Sequence, residues 1–122
     1  MKSILFVFLG GGVGSILRFL FSKYFNPLVD KFFLGTFLAN VLACLLLGYL
    51  TGISLKSNQE EFVKYFMMIG LCGGFSTYST FAMEFVKINN SGLVFNSMLY
   101  VILSLIIGIL AVVMGISLGQ KM

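Results

Sequence analysis

Four long apolar runs alternate with short polar stretches along this chain, and their lengths set the elements before any single residue is considered. Residues 4–25, 32–51, 62–86 and 93–119 are built mainly from Leu, Ile, Val, Phe, Met and Gly. Each meets the roughly 20 residues that a helix needs to cross the hydrocarbon core of a bilayer. In the third run the pattern fails, because Gly73-Gly74-Phe75-Ser76-Thr77-Tyr78-Ser79-Thr80-Phe81 sets hydroxyls and glycines in mid-span. Unpaired backbone groups are expensive in hydrocarbon, so non-helical backbone at that depth lies inside protein or beside an ion or water path. The pattern predicts an all-α integral membrane protein, a single domain over residues 1–122 with four transmembrane helices, the third broken at residues 73–77.

Composition removes the competing classes. The chain is 59% hydrophobic and 10% charged, with one proline and no histidine, a balance that a water-soluble domain of this size cannot hide in its core. The first run carries Arg18 and lacks a small-x-small cleavage site, so it reads as a retained helix rather than a signal peptide. Cys44 and Cys72 lie inside apolar runs and read as small core residues. Without histidine or a cysteine pair at ligand spacing, neither a transition-metal site nor a histidine-based triad can be assembled, and no enzymatic activity is expected. The net charge of +4 is carried by lysines at run ends, where they anchor to lipid headgroups.

Connections at 26–31, 52–61 and 87–92 place Lys2, Lys56, Lys64 and Lys121 on the face with the termini and Lys23, Lys31 and Lys87 opposite. An excess of basic residues on one side normally sets orientation. Here the balance points to insertion both ways and an antiparallel homodimer, with one weakly specified orientation as the alternative. Small residues four apart offer packing seams at Gly10/Gly14, Gly48/Gly52, Gly70/Gly74 and Gly115/Gly119. Four short helices enclose too little volume for a pore of their own, which dimerisation would remedy.

The polar residues within the runs form two stripes. Thr36 and Asn40 are one helical turn apart, where Asn40 either serves a transported species or joins two helices by a hydrogen bond. Ser97, Tyr100, Ser104 and Gly108 repeat at three and four residues in the last run. Arg18 lies deep enough either to attract anions or to snorkel to the interface, and Glu84 either pairs with a basic group or lines a vestibule. No other acidic residue falls inside a run. Neutral donors with a nearby cation suit a small anion, whose hydration is replaced by N–H and O–H groups and the positive edges of rings such as those of Tyr78 and Phe81. Carbonyls released around residues 73–76 can bind a monovalent cation, unless the break serves only as a hinge.

These motifs, taken in order, resemble the Fluc or CrcB family of fluoride channels. The break is similar to the family's Gly-Gly-x-Thr-Thr-Phe-Ser-Thr-Phe signature, followed by Glu84; Gly35-Thr36-Phe37-Leu38-Ala39-Asn40 matches Gly-Thr-x-x-x-Asn, and Gly11-Gly12-Val13-Gly14 with Arg18 matches its glycine-rich run ending in Arg. The resemblance implies an antiparallel dual-topology dimer in the plasma (bacterial inner) membrane, with two pathways for passive fluoride efflux that protect the cell from fluoride. It also implies a structural sodium ion at the dimer centre, held by the backbone carbonyls of Gly73 and Ser76 from both subunits. Tyr78 and Phe81 would be the pore aromatics, Asn40 a fluoride donor, Thr36, Ser79, Thr80, Tyr100 and Ser104 polar lining, and Arg18 and Glu84 vestibule residues. Tyr78 and Ser76 stand where the family usually has Phe and Thr, Phe19 stands for a common Tyr, and Ala43 for a common Gly. A small multidrug-type antiporter shares short spans and dual topology but needs a mid-membrane Glu in its first helix, where this chain has Arg18; a non-conducting structural membrane protein would use the stripes only as packing glue.

Overall fold

The computed structural model describes residues 1–58 and 60–122. Among them the secondary structure is entirely helical. Helix α1 spans Lys2–Phe25, α2 Leu34–Ser54, α3 residues 62–75, α4 Ser79–Asn90 and α5 Val94–Lys121. Helices α1, α2 and α5 are each long and apolar enough to cross a membrane, whereas α3 and α4 are the two halves of the interrupted third run.

Local chemistry explains where each helix stops. Asn26 and Pro27 close α1 in a short 3-10 turn, and the Asn26 Oδ1 then accepts from the Gly35 and Thr36 N–H groups at 2.7 and 3.3 Å. A side chain from the preceding turn thus caps α2, whose own flanking residue Phe33 offers no acceptor. At the end of α4 the chain turns through Gly92 at φ +79°, the left-handed conformation that glycine adopts without a Cβ penalty. Most of α3, Phe62–Cys72, is π-helical, a wide form that is rare and frequent at functional sites.

Two glycine seams hold the helices together. A Cβ on Gly10 would overlap the Phe66 carbonyl oxygen, one on Gly14 that of Leu71, and one on Gly74 that of Gly11, so α1 and α3 touch backbone to backbone. Gly48 and Gly52 meet Val112 and Ile116 in the same way, and Gly115 and Gly119 meet Leu45 and Tyr49, which joins α2 to α5 along their lengths. Close approach of this kind is how membrane helices gain dispersion energy when lipid is as apolar as their side chains. All eight glycines of the predicted seams are therefore engaged within the one chain.

The seams also move the break. The expectation of a break at 73–77 is corrected to residues 76–78: Gly73 and Gly74 remain helical, since Gly74 is needed at the α1 seam, and the backbone first becomes extended at Ser76, with ψ 157°. Directly behind it sits a small buried cluster of Ala39, Ala43 and Phe75, against which Phe21 packs edge-on at 5.2 Å.

Candidate functional site

The site is built around the break, and Asn40 is its keystone. Its Oδ1 accepts from the Thr77 N–H at 2.7 Å and its Nδ2 donates to the Thr77 carbonyl at 3.2 Å. One side chain on α2 thereby satisfies both backbone groups of the residue at the centre of the break, which in an apolar setting would otherwise be costly orphans. Thr77 in turn accepts from the Thr80 N–H through its Oγ1 at 3.2 Å and so starts α4. Ser76 folds its hydroxyl back onto the Cys72 carbonyl at 2.9 Å.

These bonds release two carbonyls. In an unbroken helix the Gly73 oxygen would receive the Thr77 N–H and the Ser76 oxygen the Thr80 N–H, but both amides are directed to side chains instead. Gly73 faces open space and shares with Ser76 a cavity of about 390 Å³, walled by Ala43, Cys44, Leu47 and Cys72. Freed carbonyl oxygens are hard, neutral donors of the kind that hold a monovalent cation.

On the other side of the break Asn40, Tyr78, Phe81 and Ser104 line a second cavity of about 270 Å³ together with Thr77 and Gly108. The Ser104 Oγ is buried without a hydrogen-bond partner, a donor held ready beside that space. Tyr78 is 82% exposed although it belongs to this lining, so one wall of the cavity is open.

A third group lies deeper in the bundle. Glu84 is buried and both carboxylate oxygens accept hydrogen bonds, from Thr36 Oγ1 and from the Tyr100 hydroxyl, each at 2.7 Å. This triad ties α2, α4 and α5 together. Tyr100 is fully buried, and its ring meets Phe32 edge-on at 5.0 Å and Phe81 at 5.2 Å. Tyr100 thus touches Phe81 and Glu84, and Thr36 bonds to Glu84, and neither stands in the wall of the cavity at the break. Glu84 also lines a cavity of about 510 Å³ with Ser22, Asn26, Ser79, Thr80 and Lys87. Arg18 lines none of these cavities, and its Nε is buried without a partner.

The structure thus gathers Asn40, Tyr78, Phe81 and Ser104 around one cavity, Ser79, Thr80 and Glu84 around another, and Gly73 and Ser76 around a third, while Arg18 stays apart. Sequence reading missed Asn26, whose capping of α2 crosses a turn and has no short motif, and Lys87, which counted only as a headgroup anchor. Lys87 follows Glu84 by three residues, the spacing that puts both on one helix face.

The sequence matches the family described as CrcB-like protein, Camphor Resistance (CrcB), over residues 5–116. It is 39% identical to the fluoride-specific ion channel FluC of Phocaeicola vulgatus, over 98% of this chain and 100% of that protein. It is 40% identical to that of Azobacteroides pseudotrichonymphae, over 94% of each chain, and 36% identical to that of Ignicoccus hospitalis, over 100% of this chain and 98% of the relative. With the match running through every helix described above, the chain belongs to the CrcB-like family.

Proposed function

We propose that this protein is a fluoride-selective ion channel, a multi-pass protein of the plasma membrane that lets fluoride leave the cell down its own gradient. It is a conduit rather than an enzyme. The observation that carries the reading is the cavity at the pinned break, where the Asn40 amide, the orphan Ser104 hydroxyl and the rings of Tyr78 and Phe81 converge. Its full-length relatives named as fluoride channels agree with it.

A small anion loses a large hydration energy on leaving water, and only donors placed at close quarters replace it. One N–H of the Asn40 amide is spent on Thr77; the other remains for the ion. Ser104 adds an O–H, and ring edges supply partial positive charge without binding the ion too tightly to let it go. Ser79 and Thr80 continue the donors toward the mouth, and Thr36 and Tyr100 hold Glu84, which backs the path. The one carboxylate of the spans is engaged with two hydroxyls, so passive conduction is favoured over coupled antiport.

In this reading four membrane-crossing helices are formed per subunit, with α3 and α4 together making the third, and the working unit is an antiparallel homodimer. The open wall beside Tyr78 and the exposed Gly73 support a second copy there. A sodium ion at the dimer centre would be held by the Gly73 and Ser76 carbonyls, whose helical partners are already taken. Its charge would fix the two breaks against each other and favour anions nearby.

The test is efflux from liposomes carrying the purified protein, followed with fluoride and chloride electrodes in parallel. Fluoride release without chloride release is expected, and Phe81→Ile should abolish it while the protein stays dimeric. Equal release of both ions, or undiminished flux in the variant, would overturn the assigned path.

A further inference from the structure

The cavity of about 390 Å³ beside Gly73 and Ser76 holds a set of donors that a hard cation on their carbonyls leaves unused. Cys44 of α2 and Cys72 of α3 both line it, together with the Met68 thioether, and both thiols are free. We propose that these two thiols form a soft-metal site, which takes a thiophilic cation of the mercuric kind as a bridge between α2 and α3.

The two cysteines are far apart in the chain, and only the packing of α2 against α3 brings them to one cavity. Cys72 is 3% exposed and Cys44 is half-buried, so neither is a surface thiol. Among the described residues the cavity is lined by no carboxylate or imidazole, which removes the hard divalent cations that need several oxygen ligands. No third Cys, His, Asp or Glu joins the pair among those residues, so the four ligands of a structural zinc cannot be completed. Two thiols suit a soft closed-shell cation that is satisfied by two sulfurs in line, since thiolate and thioether ligands select soft ions. As the metal binds, each S–H loses its proton to water and two S–Hg bonds form, with no change of oxidation state. A divalent cation on two thiolates carries no net charge, which spares the cost of placing an ion in hydrocarbon.

Position gives the site a consequence. Cys44 and Ser76 also line the cavity shared by Asn40, Phe81 and Ser104, so a metal on Cys44 stands in the wall common to both cavities. There it ties α2 to α3 across the break and crowds the anion path from behind. This effect on flux rests on the fluoride reading above, whereas binding of the metal does not.

The experiment loads the purified full-length protein with equimolar mercuric chloride and passes it through a sizing column in dilute monothiol. A second thiol held on packed helices acts at an effective concentration on the order of millimolar, so a bridge survives a wash at about 0.1 mM while mercury on a single thiol is stripped. Elemental analysis should find about one mercury per chain in the unmodified protein, as a two-sulfur bridge requires, and almost none in Cys44→Ala or Cys72→Ala. Cys44→Ser and Cys72→Ser repeat the comparison with a side chain of nearly native volume. Mercury stripped from the unmodified protein, or retained in full by either single variant, would overturn the site. In liposomes, mercury-loaded unmodified protein should lose fluoride efflux and recover it when a dithiol removes the metal, each protein being compared with its own unloaded flux. The single variants treated alike should keep theirs. Retained mercury with undiminished efflux would overturn the place of the metal in the wall of the path. Unloaded, unmodified protein that moves no fluoride would overturn the channel reading, and the mercury count would still decide the site.

Discussion

In the proposed path Asn40 serves structure and transport together, and only its bonds to Thr77 are structural. Removing it in Asn40→Ala leaves the Thr77 N–H and carbonyl unpaired beside an apolar cluster, at about 1–3 kcal/mol for each group. The variant should lose fluoride flux and also unfold at a lower temperature in detergent, whereas Phe81→Ile should lose flux alone. Loss of flux with an unchanged melting temperature in Asn40→Ala would show that its bonds to Thr77 are not what holds the break. Tyr78 is a different case: its ring lines the cavity while the residue is largely exposed. Tyr78→Phe should conduct as the unmodified protein does, and a dead variant would assign the hydroxyl to the ion. For the triad around Glu84, Tyr100→Phe deletes one of its two hydrogen bonds and should cost about 1 kcal/mol, read as a fall in thermal midpoint.

Among the elements, the two glycine seams carry the packing and the turns carry little. Gly115 lies against the backbone of Leu45 and Tyr49, so Gly115→Val forces α2 and α5 apart. At the upper end of overpacking costs, about 3 kcal/mol, the protein should aggregate on extraction rather than elute as a defined species. Gly92 has open space around it but a left-handed backbone; Gly92→Ala should cost only about 1 kcal/mol and leave flux intact. The glycine spacings that announce the seams were readable in the chain, since small residues four apart admit close helix contact. Which helix each seam meets was not, because that depends on how two separate runs lie side by side. The same limit explains why the break falls at 76–78: Gly73-Gly74 signals flexibility, but Gly74 is spent on packing against Gly11, which lies far earlier in the chain.

For the whole molecule, the lysine balance and the open wall beside Tyr78 are the two observations behind the proposed arrangement of two inverted copies. Two copies fused through an added membrane-crossing helix, which inverts the second, should conduct fluoride, and a fusion that forces both copies into one orientation should not. Equal conduction by the two fusions would remove the antiparallel dimer from the account.

The chain alone determined the membrane as solvent, the number and length of its apolar runs, and the polar interruption within the third, because hydropathy and run length are local sums that need no partner. Its motifs also carried the family, since they recur at fixed spacing. Only the tertiary structure decided what each polar residue does. It turned Asn40 onto Thr77, closed Glu84 between Thr36 and Tyr100, freed the carbonyls of Gly73 and Ser76, and set Lys87 in one cavity with Glu84. Hydrogen bonds between residues 37 and 48 positions apart exist only once the helices have packed, and in hydrocarbon every such group must find its partner inside the protein.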